Sequence, residues 1–365
     1  MSERAAGRDL PEKHEPAAEP DTVKVSAQGV DEEPVEANRR AFGGWRLTLI
    51  VTLAALYAAF HMAALNGLSL SGITGIELPF LPSFPLETWN FRIVHVAGAL
   101  FLGFLLFGPS GGGFAGDGTR RFTIGDWVAA ALLLAALFAC TSAVGFALRI
   151  AGGEMWNGMA PEFRDAEIYR FGIPLLVATF GAIVLGWLDR SAEDRFSLPD
   201  IVLGVAAAAV AIYLVTIYGT LMRNSTGTPF APIGISLASV AGTALILELT
   251  RRVAGLALVI IAVIFLVYVF VGHLAPGFLN SPRIDWARFF SQVYTDAGIL
   301  GPTTAVSSTY IILFIIFAAF LQASKVGDYF INFAFAAAGR TRGGPAKVSI
   351  FASGLMGMIN GTSAG

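Results

Sequence analysis

The chain has 365 residues, 55% of them hydrophobic and 14% charged, with 24 Lys and Arg against 26 Asp and Glu for a formal net charge of −2. Soluble domains average roughly 45–50% apolar and about 25% charged residues, so this composition excludes an ordinary soluble protein and points to a chain folded in lipid. The lack of a basic stripe gives no footing for nucleic-acid binding, and the single cysteine, Cys140, excludes a disulfide within the chain.

Residues 1–42 are rich in Glu, Pro and Ala and nearly free of aromatics, the composition of a disordered tail. They lack the short basic region followed at once by an apolar core that marks a cleavable signal peptide, so the first apolar segment reads as a retained helix. A bilayer core about 30 Å thick needs about 20 mostly apolar residues per helical span. Segments of that kind run from Trp45 to Leu65, Phe91 to Phe107, Ile124 to Ile150, Ile168 to Leu188, Ile201 to Thr220, Pro229 to Leu249, Val253 to Gly272 and Leu300 to Ala323. The expected fold is therefore an all-α polytopic membrane protein with about eight transmembrane helices.

Lys and Arg fall unevenly between the two sets of loops. One set carries Arg39, Arg40, Arg46, Arg120, Arg121, Arg190, Arg195, Arg251, Arg252, Lys325, Arg340, Arg342 and Lys347; the other holds fewer, with Arg149, Arg164 and Arg170 set among Glu154, Glu162, Asp165 and Glu167. The positive-inside rule places the N-terminus and the last segment in the cytoplasm, and an even number of spans agrees.

Several motifs along the chain invite a chemical reading. Gly111 to Gly116 spells G-x-G-x-x-G, but a dinucleotide fingerprint follows a strand and opens a helix, whereas this run follows a membrane helix and precedes polar residues; it reads as a linker. Arg92 and His95, at i and i+3, share one helical face and could guide an anion or a proton, although a snorkelling Arg and a packed His explain them more simply. Glu248, Arg251 and Arg252 read as an ion pair at a helix end, and Cys140 as a small buried apolar residue. No cluster of His, Cys and carboxylates has metal-site spacing, so neither a transition metal nor another cofactor is expected.

Beyond the seventh span, Ile284, Trp286, Phe289, Phe290 and Val293 recur at helical spacing among charges, the pattern of an interfacial amphipathic helix. A second amphipathic run sets Lys325 and Asp328 opposite Phe330, Phe333 and Phe335 and ends at Gly343, Gly344 and Pro345. The segment after it is apolar, yet Ser353, Gly354, Gly357, Asn360, Gly361, Thr362 and Ser363 make it a poor uninterrupted span. Such breaks are tolerated at membrane depth where they line a cavity, and in secondary transporters half-helices of this kind hold substrate and sodium. The expectation is the start of a re-entrant helical hairpin entering from the cytoplasm, with Asn360, Thr362 and Ser363 as hard oxygen ligands.

Residues 361–365 also spell G-x-S-x-G, the pattern of a hydrolase nucleophile elbow. That elbow needs a strand before it and an acid and a His after it; no strand pattern precedes Gly361, and His14, His61, His95 and His273 all lie upstream. An enzyme is not the expected reading.

From Leu247 through Gly365 the sequence resembles the start of the large M-type domain of TRAP transporters, the tripartite ATP-independent periplasmic transporters, and in particular the fused permeases that work with TAXI-type binding proteins. The most specific stretches are Gly339 to Val348 and the hairpin Ser353 to Thr362, in which Asn360 and Thr362 stand where the family usually has Ser. Upstream, Asn90 to Phe107 and Pro199 to Met222 resemble the second and third helices of the family's small N-terminal unit. The resemblance implies a Q-like scaffold region over 43–250 with an inserted helix pair at about 122–190, and the first part of a transport domain over 251–365. It further implies a multi-pass permease of the bacterial inner membrane, sodium as coupling ion, a small organic anion delivered by a periplasmic TAXI-type binding protein, and elevator motion of a transport domain against a scaffold. A complete M-type domain carries a second, inverted repeat, so the chain is expected to be a fragment incapable of transport alone. Two alternatives stay open: a non-transporting membrane scaffold or assembly protein, and an intramembrane serine hydrolase at Ser363. Substrate, oligomeric state, sodium stoichiometry and the role of the inserted pair are not legible in the sequence.

Overall fold

The computed structural model describes residue 40 and residues 42–66, 88–109, 124–157, 160–188, 196–218 and 225–360. Of the tail expected to be disordered over residues 1–42, Arg40 and Phe42 are described and held against the bundle, the Arg40 amide donating to the Leu106 carbonyl at 2.9 Å and the Phe42 ring lying 5.1 Å from that of Phe196, while the rest of the tail and the G-x-G-x-x-G linker lie outside the described residues. The regular elements within them are all helices. In chain order these are α1 (Trp45–Leu65), α2 (Thr88–Leu106), α3 (Ile124–Ala151), α4 (Pro161–Leu188, with a π-helical stretch over Ala166–Gly172), α5 (Leu198–Tyr218), α6 (Ile233–Ala254), α7 (Leu256–Val271), α8 (Trp286–Val293), α9 (Pro302–Ala323, π-helical over Ser307–Ile311), α10 (Val326–Ala338) and α11 (Gly344–Asn360). Eight of these, α1 to α7 and α9, are long and apolar enough to cross a membrane when the short turn after α7 is counted with it, as the sequence led us to expect.

α5 is the hub of the bundle. It packs on α2, α3, α4 and α6, and Ala206, Ala207, Ala209, Tyr213, Leu214 and Ile217 along it are fully or nearly fully buried. Lipid tails are as apolar as Leu, so membrane helices associate through close packing rather than hydrophobic exclusion, and small residues allow that approach. Gly204 shows how close it is: a Cβ there would lie 2.9 Å from Cδ2 of Phe101 on α2. The facing positions of α3 are also small, with Ala136, Ala139 and Ala143 each fully buried. Cys140 between them is partly buried against the same core and has a free thiol.

Polar side chains tie the bundle at both ends. At one end Arg252 Nη1 donates to Asp200 Oδ1 at 2.6 Å and its Nε to Glu248 Oε1 at 2.8 Å, Arg251 Nε and Trp187 Nε1 reach Glu248 Oε2 at 2.9 and 3.0 Å, and Arg40 closes on Asp200. The expected helix-end ion pair thus exists and belongs to a network joining the chain before α1 to α4, α5 and α6. At the other end Glu167, on the π-helical stretch of α4, accepts from Trp156 Nε1 at 2.6 Å, Tyr213 Oη at 2.7 Å and the Gly234 amide at 3.1 Å. A buried carboxylate with three donors has its charge spread over well-aligned hydrogen bonds, which offsets the cost of taking it out of water. These two clusters fix the up-and-down alternation of α2 to α6, because residues near 40, 107, 187, 200 and 252 meet at one end and residues near 156, 167, 213 and 234 at the other.

Gly255 breaks α6 from α7 with φ 84° and ψ −179°, a conformation open to glycine alone among the common residues. The span expected from Val253 therefore begins at Leu256. α8 is the expected amphipathic helix; Asp285 caps it by accepting from the Ala287 and Arg288 amides, and it lies on α6 with Phe290 and Ser291 buried. Its apolar face is turned to protein at these positions while Trp286 remains half exposed.

Candidate functional site

The residues singled out from the sequence sit on α11. α10 and α11 form an antiparallel helical pair joined by a turn through Gly339–Gly343, where Gly343 has φ 75°. Thr341 Oγ1 donates to the Ala338 carbonyl at 2.8 Å, and the Gly344 amide donates to the Thr341 carbonyl at 2.8 Å. Ala334 and Val348 are buried where the two helices meet, and Phe333 and Phe351 bring their rings to 6.1 Å. An open, mainly apolar cleft of about 530 Å³ lies along the pair, with Lys347 at one side and Ile350, Phe351, Gly354 and Leu355 along its wall.

α11 runs unbroken from Gly344 to Asn360. Ser353, Gly354 and Gly357, expected to interrupt it, are inside the helix; glycine costs about 1 kcal/mol against alanine at such a position, which the surrounding turns absorb. Ser353 and Gly354 are exposed, and a Cβ at Gly354 or Gly357 would meet nothing within 4 Å. Asn360 is the last described residue, and Gly361, Thr362 and Ser363 lie outside the described residues. Among the described residues no group of three or more His, Cys, Asp or Glu gathers as a metal site.

Sequence reasoning passed over two intramembrane sites. Glu167 was read only as one acid of a polar loop, although an ionisable side chain beside an apolar run is itself a signal. His61 and His95 come together on α1 and α2: His61 Nε2 lies 2.9 Å from His95 Nδ1, His61 Nδ1 faces the Tyr57 carbonyl at 2.8 Å, and His95 Nε2 faces Ser307 Oγ on α9 at 3.1 Å. Tyr57 Oη is 2.8 Å from the His95 carbonyl and 2.9 Å from His95 Nδ1. Arg92, one turn from His95 on the same helix, donates through Nη1 to the Leu300 carbonyl at 2.6 Å, anchoring the entry to α9.

A further cleft, of about 490 Å³, opens at the end of the bundle that holds Glu167. Arg164, Arg288 and Asp285 contribute its charges, with Thr228 and Ser236 beside them. Arg288 Nε is held by the Gly227 carbonyl at 2.8 Å. Two guanidiniums and one carboxylate give the cleft a positive balance.

Residues 241–365 match the family model DctM, described as the tripartite ATP-independent periplasmic transporter, DctM component. No curated protein and no solved structure matches the chain. The matched stretch takes in the last turns of α6 and all of α7 to α11, so the hairpin residues and Ser307 fall inside it, whereas α1 to α5 fall outside.

Proposed function

We propose that the chain is a membrane permease component of a TRAP transporter, importing a small organic anion that a periplasmic substrate-binding protein delivers. The observation that carries this reading is the DctM match over 241–365, found on a chain with eight helices apolar enough to span a membrane. In this reading α1 to α6 form a scaffold, with α3 and α4 as the inserted pair, and α7 to α11 begin the transport domain that moves against it in elevator fashion. The hairpin segment supplies the sodium site, with Asn360, Thr362 and Ser363 as oxygen ligands. The N-terminus is cytoplasmic in the bacterial inner membrane, and the cleft bearing Arg164 and Arg288 faces the periplasm, where a TAXI-type binding protein docks.

Uptake by vesicles holding a permease that carries this chain with a second M-type repeat should require both a sodium gradient and the binding protein. Uptake that persists without either would sink the reading. Thr362→Ala should raise the sodium requirement about fivefold to a hundredfold, the equivalent of one lost ligand contact of roughly 1–3 kcal/mol. Gly361→Val should abolish uptake by crowding the hairpin. A fluorophosphonate probe that labels the wild-type protein and spares Ser363→Ala would favour the serine hydrolase instead. Orientation is tested separately: a cysteine introduced at position 162 should label from outside intact cells and one at 118 should not.

A further inference from the structure

We propose that His61 and His95, with Ser307, form an intramembrane binding site for a single proton at the junction between α1, α2 and α9. The hydrogen positions follow from the partners. His61 Nδ1 faces a backbone carbonyl, which can only accept, so that nitrogen carries hydrogen and the Nε2 of a neutral His61 is bare. The 2.9 Å separation between His61 Nε2 and His95 Nδ1 then requires a hydrogen on His95 Nδ1, since two bare nitrogens would repel. His95 Nε2 is left bare, and the Ser307 hydroxyl donates to it across 3.1 Å. Tyr57 Oη donates to the His95 carbonyl, leaving its oxygen to share the His95 Nδ1 hydrogen. Every polar atom of the resting site is satisfied with both rings neutral.

That arrangement admits one added proton and no second. The first enters at His95 Nε2: the N–H bond forms there, the proton comes from water, and the Ser307 hydroxyl reverses from donor to acceptor. The hydrogen between the rings can then shift from His95 Nδ1 to His61 Nε2, so the positive charge is shared by both imidazoles. A second proton would set N–H against N–H at 2.9 Å and break the contact.

Among the described residues no carboxylate faces the pair. On α1 the nearest titratable group is Tyr57, already in the network. On α2 it is Arg92, one turn from His95 and bonded to Leu300, and on α9 it is the exposed Tyr310. α5 and α6, packed on the other side of α2, carry Tyr213, Tyr218, Asp200, Glu248, Arg251 and Arg252. The last four belong to the network that reaches Phe107, twelve residues beyond His95 and roughly 18 Å along the helix. The charge of the bound proton is thus carried by the rings alone, and α9 senses it through the reversed hydroxyl of Ser307 on its π-helical turn. π-Helical turns are frequent at functional positions because they leave backbone carbonyls without regular partners. The site joins helices outside the DctM match to one inside it, and its existence does not depend on the transporter reading.

The test is 15N NMR of the wild-type chain in lipid nanodiscs, labelled in its histidine rings, from about pH 8 to about pH 4. His61→Gln and His95→Gln variants assign the signals. The expected result is that His95 Nε2 alone gains a hydrogen, that His61 Nδ1 keeps one throughout, that the hydrogen between the rings couples to both nitrogens, and that the pair takes up one proton per chain. The coupled signal should vanish in either variant. Uptake of two protons by the pair, a hydrogen already on His95 Nε2 at the alkaline limit, or a pair that stays unprotonated across the range would each overturn the proposal. The wild-type stoichiometry decides the matter even if both variants fail to fold.

Discussion

α5 and α7 are alike in composition and opposite in placement. Their mean hydropathies are 2.4 and 2.8, yet 67% of the α5 span is buried within the protein and about a tenth of that share, 6%, of the α7 span. The difference lies in side-chain size. α5 carries Gly204 and a run of alanines that let four neighbours close around it, whereas α7 is built from Leu, Val, Ile and Phe, none of them buried. Hydropathy says that a helix enters lipid; small residues permit close packing around it without requiring it, since the alanine-rich α1 and α3 are only 11% and 22% buried. α9 behaves like α7, with 6% buried, so the stretch matched to the DctM family is tied to the rest mainly through α6, α8 and the contacts of α9 with α1 and α2.

The sharpest way to break the contrast is to disturb the charges that lock α5 in place. Asp200→Asn removes the carboxylate that Arg40 and Arg252 share inside the bundle, leaving Arg252 only its contact with Glu248, and breaking such a buried pair costs about 3–5 kcal/mol. Unfolding in mixed micelles should show a loss of that size; an unchanged midpoint would mean the network contributes little. Gly204→Leu should follow, at about 1–3 kcal/mol from overpacking against Phe101, while Ile264→Ala on the exposed face of α7 should stay within about 0.5 kcal/mol. Equal effects at the two positions would refute the size argument.

Gly255→Ala probes the joint between the two regimes. An alanine held at φ 84° and ψ −179° costs about 1–3 kcal/mol, although nothing lies within 4 Å of its Cβ. Unfolding of the variant should show a loss in that range, and a stable Gly255→Ala protein would indicate that the joint relaxes. The smallest effect is electrostatic. Arg149 donates twice to Glu154 at 2.6 Å and holds its carboxyl below the usual range. A carboxylate lowered in the folded state contributes stability above its unfolded pKa and loses it as pH falls through the folded value. The protection of the Glu154 amide, bonded to the Arg149 carbonyl at 3.1 Å, measured as its exchange relative to the intrinsic rate at each pH, should therefore fall on acidification while the protection of α5 amides does not.

Much of the architecture was legible because a membrane span is a local property: length and apolarity place α1 to α7 and α9 without reference to partners. Helix ends were less legible. Ile168 to Leu188 reads as a span from apolarity alone, but Glu167 and the residues before it join the helix because Trp156, Tyr213 and Gly234 satisfy the carboxylate. Glycines expected to interrupt α11 were absorbed into it, since two or three glycines subtract less than a run of apolar helix turns supplies. The hairpin oxygens were named from the sequence, yet Gly361 to Ser363 lie outside the described residues, and the structure adds the open glycine face of α11 instead.

The sequence by itself determined that this chain lives in a bilayer, how many times it is able to cross, and that residues 247–365 resemble part of a transporter, because hydropathy, charge and motif are written one residue after another. Tertiary structure alone decided that Asp200 finds Arg40 and Arg252, that Glu167 is fully bonded, and that His61 meets His95 beside Ser307. The last three are separated by 34 and 212 positions in the chain, and no local pattern encodes a contact across such distances. Only the packing of α1, α2 and α9 fixes which polar groups must satisfy one another where water is excluded.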